Sequence, residues 1–335
     1  MTPTKSLSLL FLCIFICFNV AAQELKSFAE RLGYKKNDKV VILHVDDAGM
    51  SYESNQGAIQ ALTKGVASSC SVMMPCPWVP GFVRFLHENP KIDAGLHLTL
   101  NSEWRDYRWL PVSGKPAVPG LVDREGAMWA SVEDVVKNAS ADEVEREIRA
   151  QLQRARDMGF EPTHLDSHMG TLFAKPEYLQ RYIKMGVEEK IPVMLPAGHA
   201  TLIQQQVQLS EDAMKQIRMA GEMIWNAGLP VLDDLHNESY TWKPQQEDKV
   251  SDRQFSKTAT ENYKKALASI RPGITMIIMH CTAKSDIFQH ISDSGPVRRA
   301  DLMAMLDPEL RNYIKEQGII ITTWRELHEK RKQLQ

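Results

Sequence analysis

The sequence predicts an α/β protein built as a single TIM-barrel-like (β/α) barrel. Two observations carry that prediction. Eight short, β-favouring apolar runs alternate with amphipathic helical stretches, and polar residues of unusual type collect where those runs end. A doubly wound open sheet is the alternative. However, the turn after the first apolar run carries no G-x-G-x-x-G fingerprint.

The strand runs fall at 40–46, 66–74, 92–98, 162–166, 191–195, 229–233, 274–280 and 318–323. Helical patterns occupy 53–64, 80–89, 141–158, 175–188, 210–227, 254–270 and 298–315. In "SADEVEREIRAQLQRARDMGF" Ser140 is placed to cap, acids fill the first turn, and Ile148, Leu152 and Ala155 form a stripe. Gly159 then supplies a stop before the next strand. The alternation lapses only at about 101–138, a stretch rich in Trp, Pro and Gly ("EWRDYRWLPVSGKPAVPG") that reads as a long loop leaving a strand end. Loops of that length in compact domains are functional or disordered, and the aromatic content favours function.

The N-terminus lies outside this pattern. "MTPTKSLSLLFLCIFICFNVAAQ" has one lysine, an apolar run and a pair of small residues, the form of an export signal cleaved after Ala22. Residues 1–22 are therefore expected to be a signal peptide and 23–335 one domain, periplasmic or secreted, with no integral membrane association after cleavage. That segment contains one charged side chain, Lys5, so the mature chain carries 39 basic against 42 acidic residues, a net charge of −3. No basic block interrupts it, which argues against nucleic acid as a partner. Three cysteines remain, Cys70, Cys76 and Cys281, an odd number that excludes a complete disulfide framework. Cys70 and Cys76 are able to pair, but buried free thiols are the expectation.

The polar residues at the strand ends are specific in kind. His44, Asp46 and Asp47 close the first run and His97 closes the third. His164, Asp166 and His168 close the fourth, Asp233, Asp234 and His236 the sixth, and His280 the seventh. Six of the ten histidines therefore converge if the runs are parallel strands, because C-terminal strand ends share one face. Imidazoles and carboxylates from separate strands have the composition of a metal site. A set of Asp47, His97 and His168 would leave coordination positions open for water and substrate. Each residue taken singly has a plainer reading: His97 as a hydrogen-bonded core histidine, "HLDSH" as a turn, Asp46–Asp47 as a helix cap. Their joint placement at strand ends argues for the metal centre.

The blocks "HVDDAGMSYESNQGAIQALTKGVASSCSVMMP", "GLHLTL" and "THLDSH" resemble the signature blocks of the YdjC-like (ChbG-type) carbohydrate deacetylase family, related in metal chemistry to the polysaccharide deacetylases. Asn55, Gly57 and Ser68–Ser69 fall where that family has N-x-G and T-S, and Thr163–His168 match its third block in full. "IIMHCTAKSD" matches the late block only in part: His280 fits, while Cys281 stands where proline is usual. Ala48 replaces the usual phenylalanine.

The resemblance implies a (β/α)-barrel hydrolase removing N-acetyl groups from an N-acetylated amino-sugar oligosaccharide. It implies one divalent ion, zinc first and magnesium or another divalent ion second, held by Asp47, His97 and His168. The division of roles between the two aspartates also comes from the resemblance, with Asp46 as general base. His280 is the candidate general acid, and Asp166 and His164 are candidates to orient ligand imidazoles. Trp104, Arg108 and Trp109, with Tyr107, sit in the loop after the His97 strand and are candidates to bind the carbohydrate; Asp234 and His236, with Tyr240 and Trp242 nearby, are weaker ones. Two other readings stand beside the first: an O-acetyl esterase or other metal-dependent amidohydrolase on the same site, and a non-catalytic carbohydrate-binding barrel.

Overall fold

The computed structural model describes residues 26–242 and 251–334; the expected signal peptide lies outside the described residues. Seven strands form among the described residues: β1 (Lys39–Ala48), β2 (Ser69–Val72), β3 (Ala94–Leu98), β4 (Leu165–Ser167), β5 (Asp234–His236), β6 (Gly273–Met279) and β7 (Ile320–Ile321). Every ladder between them is parallel, in the order β4-β3-β2-β1-β6-β5, with β7 also paired to β1. Isolated parallel bridges Leu165–Val193 and Pro196–Leu232 carry the segment between those bridges from one side of the sheet toward the other, so the sheet curls strongly.

The expected count of eight regular strands is not met. The runs at 191–195 and 229–233 contribute single bridges, and the ladder strand of the second lies just beyond it, at β5. Pro192, Pro196 and Pro230 explain this: proline offers no backbone N–H, so a ladder cannot run through these segments. The helical pattern at 298–315 also divides, into Gly295–Leu306 and Pro308–Glu316. Asp307 caps the second helix through the Glu309 amide, and Pro308 cannot continue the first.

β1 is the central strand. Val40, Val41, Ile42, Leu43 and Val45 are fully buried, as befits a parallel strand covered on both faces. The helices Tyr52–Thr63, Val79–Glu88, Ala141–Asp157, Pro176–Glu189, Glu211–Asn226 and Asp252–Ser269 follow the expected patterns closely. Ser140 makes the anticipated capping box with Glu143, and Gly159 takes a left-handed φ of 72° beyond the helix end. Gly57 permits a close approach: a Cβ there would lie 2.3 Å from the Cys281 carbonyl oxygen, so the helix Tyr52–Thr63 rests directly on the chain leaving β6.

The loop from 101 is ordered. Val112 and Ser113 donate their amides to Glu147 at 2.9 Å, and the short helix Val132–Asn138 ends the excursion. It contributes to a second hydrophobic cluster, separate from the main core, in which Trp109 and Met128 meet Met50, Met73, Cys76 and Phe288. Cys70, Cys76 and Cys281 are buried free thiols. No helix among the described residues is long and apolar enough to cross a membrane.

Candidate metal centre

Two adjacent strand residues ordinarily point to opposite faces of a sheet. Asp46 and Asp47 escape that rule because the β1–β2 register shifts between Val45 and Ala48, and Asp47 adopts a left-handed φ of 64°. Aspartate tolerates this conformation better than most side chains do. Both carboxylates consequently meet the same imidazole: His97 Nε2 lies 3.3 Å from Asp47 Oδ1 and 3.8 Å from Asp46 Oδ2.

Three donors form a compact triangle. Asp47 Oδ1, His97 Nε2 and His168 Nδ1 are separated by 3.3, 3.2 and 3.5 Å. Bonds of about 2.0–2.2 Å from one ion, at angles between octahedral and tetrahedral, subtend donor separations of about 2.9–3.5 Å. Asp47 Oδ1 is buried and has no hydrogen-bond partner among the described residues, a costly state for a carboxylate oxygen. Geometry and the unmet oxygen both fit a divalent cation. Asp46, His97 and Asp166, and separately His44, His164 and Asp166, are also close enough to hold an ion. In those sets, however, Asp166 is already engaged by imidazoles: its Oδ1 lies 2.7 Å from His97 Nδ1 and its Oδ2 lies 3.0 Å from His44 Nε2.

The contact with Asp166 leaves the other nitrogen of His97, Nε2, facing the triangle. On the far side of Asp166 sits His44, wholly buried, with Nε2 also 3.1 Å from Asp46 Oδ1 and 3.1 Å from Ser71 Oγ. His44 thus bridges the two carboxylates. His164 stacks on Trp324 with ring centroids 5.2 Å apart, and its Nε2 stands 3.7 Å from Asp166 Oδ2. Its Nδ1 meets the Thr163 hydroxyl at 3.0 Å.

Electrostatics show how negative this pocket is. Burial opposes charge on His44, yet contacts with Asp166 and Asp46 raise it to about 9. Burial likewise opposes charge on His168, and Glu103 and Asp47 raise it to about 9. His168 Nε2 lies 3.0 Å from Glu103 Oε2, so Glu103 does for His168 what Asp166 does for His97. Asp47 is held well below the usual carboxylate range: burial pushes it up, but Arg298 and the His168 and His97 contacts prevail. The Arg298 guanidinium, itself buried, stands 2.7 Å from Asp47 Oδ2 and 2.8 Å from Ser294 Oγ. Trp104 and Tyr240 face it at 5.6 and 5.2 Å.

His280 closes the opposite side. Its Nε2 is 3.9 Å from Asp46 Oδ2, its ring packs edge-on to Tyr240 with centroids 4.3 Å apart, and its amide donates to Asp301. Burial outweighs the attraction of Asp47 and lowers it to about 4, so the imidazole is neutral.

The structure brings Asp46, Asp47, His97, His164, Asp166, His168 and His280 into one connected group, together with His44. Trp109 is buried, donates Nε1–H to the Asn101 carbonyl and packs edge-on to His168, with Trp104 against it. Arg108 does not turn to the site: it pairs with Asp123 and Glu125 and donates to the Met128 carbonyl, which fastens its own loop. The Asp234 carboxylate accepts the amides of Leu202 and Leu235. His236 packs against Trp242, which in turn meets Tyr263. Glu103, Ser71 and Arg298 belong to the site without having been anticipated. Glu103 lay in the suspected loop, and Ser71 sits one strand over from His44; nothing in the sequence around Arg298 sets it apart.

The molecule is thus a curled parallel α/β protein with a buried His/Asp constellation at its C-terminal strand ends. Within that class, residues 40–316 match the sequence model of the YdjC-like protein family, and the chain belongs to that family. It is 29% identical over 302 residues to the carbohydrate deacetylase of Thermus thermophilus, covering 90% of this chain and 97% of that protein. It is 32% identical over 138 residues to the chitooligosaccharide deacetylase of Citrobacter koseri, covering 39% of this chain and 49% of that one. The crystal structure of an Enterococcus faecalis protein provisionally named for cellobiose-phosphate cleavage superposes with a TM-score of 0.67 at 20% identity, over 87% of this chain and 99% of that chain, and shows the same fold.

Proposed function

We propose that this protein is a metal-dependent carbohydrate deacetylase that hydrolyses the N-acetyl group of an amino-sugar substrate. One observation carries the reading: a triangle of donors from Asp47, His97 and His168 lies beside a further carboxylate, Asp46, that is close to the triangle yet outside it. The names of the relatives support carbohydrate deacetylation. Two imidazoles and a carboxylate suit zinc, and magnesium is the second choice.

An ion held by Asp47, His97 and His168 would polarise an acyl carbonyl and acidify a water molecule. The rest falls to the chain itself. Asp166 and Glu103 fix the ring orientation of His97 and His168 by accepting from their remaining nitrogens. His44 and Ser71 hold Asp46 Oδ1, which leaves Oδ2 to take the proton of the attacking water. His280 starts neutral and gains that proton from Asp46 across the 3.9 Å between them, then delivers it to the departing nitrogen. Arg298 balances the charge of Asp47. An amide nitrogen and an ester oxygen both need a proton to depart, so His280 serves either, and the choice of the amide rests on a relative named for chitooligosaccharide deacetylation.

Acetate release from N-acetylated chitooligosaccharides and from O-acetylated xylan, measured side by side, tests the reading. Release from the ester substrate alone would reassign it to an esterase. The same reading includes residues 1–22 as a cleaved export signal, checked by N-terminal sequencing of the protein recovered from the periplasm or medium.

A further inference from the structure

Six of the ten large apolar side chains exposed among the described residues follow strands β1 to β6, one after each: Tyr52, Trp78, Leu110, Met169, Tyr240 and Ile287. In a parallel sheet these segments all lie on the face that carries the candidate metal centre. Two of the six are aromatic neighbours. Tyr52 and Trp78 are 51% and 45% exposed, with ring centroids 5.3 Å apart.

This pair is tied firmly to the site. The Trp78 amide donates to the Gly49 carbonyl at 3.1 Å, two residues past Asp47. Asn55 clamps the same turn, accepting the Gly49 amide at 2.7 Å and donating to the Trp78 carbonyl at 3.0 Å. The Tyr107 hydroxyl donates to the Met50 carbonyl, and Tyr107 packs on Trp109, which reaches His168. A chain of contacts thus leads from the donor triangle through Trp109, Tyr107 and the Met50 backbone toward the exposed pair, and it includes the separate hydrophobic cluster around Met50 and Trp109. Local structure does not call for these rings. Trp78 occupies the N-cap position of the helix Val79–Glu88 and makes no side-chain cap there, where a short polar residue would serve better. Two half-exposed rings are also far smaller than the roughly 800 Å² per partner of a stable protein interface. Their flat, amphipathic faces suit the C–H face of a pyranose.

We propose that Tyr52 and Trp78 form a stacking subsite for a second pyranose ring, next to the one that carries the acyl group, so that the enzyme reads the length of the carbohydrate. This rests on the carbohydrate reading of the site. The test compares triacetylchitotriose with N-acetylglucosamine as substrates for wild type, Tyr52→Ala, Trp78→Ala and the ring-keeping Tyr52→Phe and Trp78→Phe. The alanine variants are expected to lower the ratio of kcat/KM for trimer over monomer about tenfold, and the phenylalanine variants to restore it. An unchanged ratio, whether both substrates fall together or neither does, overturns the subsite. If the wild type releases no acetate from any sugar, the deacetylase reading fails, and binding of unacetylated cellotriose and chitosan trimer decides the subsite alone. Quenching of tryptophan fluorescence by either trimer that is lost in Tyr52→Ala supports it; identical titrations of wild type and Tyr52→Ala, or none in either, overturn it.

Discussion

His97 Nδ1 lies 2.7 Å from Asp166 Oδ1, and that contact decides which nitrogen of His97 faces Asp47 and His168. An imidazole whose Nδ1–H is held by a buried carboxylate is fixed in tautomer and more basic at Nε2. Asp166→Ala is therefore expected to weaken zinc binding by about 10–100-fold while the protein stays folded. Competition with a chromophoric chelator measures this. Unchanged zinc affinity would remove Asp166 from its orienting role.

Asp46 and Asp47 are neighbours in sequence with different expected roles. Asp46→Asn should keep the ion and lose turnover by at least about a hundredfold, as expected for loss of a general base. His168→Ala should lose the ion and the activity together. Metal analysis and acetate release on the same preparations check both. Metal loss in the Asp46 variant with full activity in the His168 variant would reverse the assignment.

Arg298 is buried against Asp47 Oδ2 at 2.7 Å. Breaking a buried pair from one side leaves an unmatched charge, at a cost of about 3–5 kcal/mol. Arg298→Met is expected to destabilise the chelated protein by about that much, and added zinc should recover a large part of it because the ion also answers Asp47. Urea unfolding with and without zinc reads the difference. Equal losses in both conditions would contradict this account.

His44 carries a pH signature. Its folded value, about 9, lies above the unfolded 6.5 because Asp166 and Asp46 outweigh the burial that opposes charge. A raised value means that the stabilisation is complete below about 6.5 and is lost as pH rises through about 9. The stability advantage of chelated wild type over His44→Gln should therefore shrink across that interval. A difference that stays flat with pH would show that His44 is held neutral.

The sequence made the strand-end residues legible because strand ends can be recognised locally. The run into Asp46–Asp47, the single His97 in an apolar strand and "THLDSH" each mark a strand end without knowledge of a partner. The function of His44 was not readable, since it depends on Asp166, far away in the chain and brought across the sheet by folding. Arg298 was invisible for a similar reason: it sits on a helix, and only the tertiary structure buries it against Asp47. Arg108 drew attention by its aromatic neighbours, yet its loop supplies it with Asp123 and Glu125. In the fold, the alternation of runs located the helices well. The regularity of the strands at 191–195 and 229–233 was overestimated because three prolines weigh more than apolar pattern there.

The most direct measurement is reconstitution. The protein is stripped with chelator, zinc is added back in steps, and bound ion and acetate release from triacetylchitotriose are followed on the same samples. The stripped protein is expected to release no acetate, and release should rise with zinc to a plateau at one ion per chain. Full activity in protein free of metal, or one bound ion with no acetate from any acetylated sugar, would contradict the metal-dependent deacetylase reading.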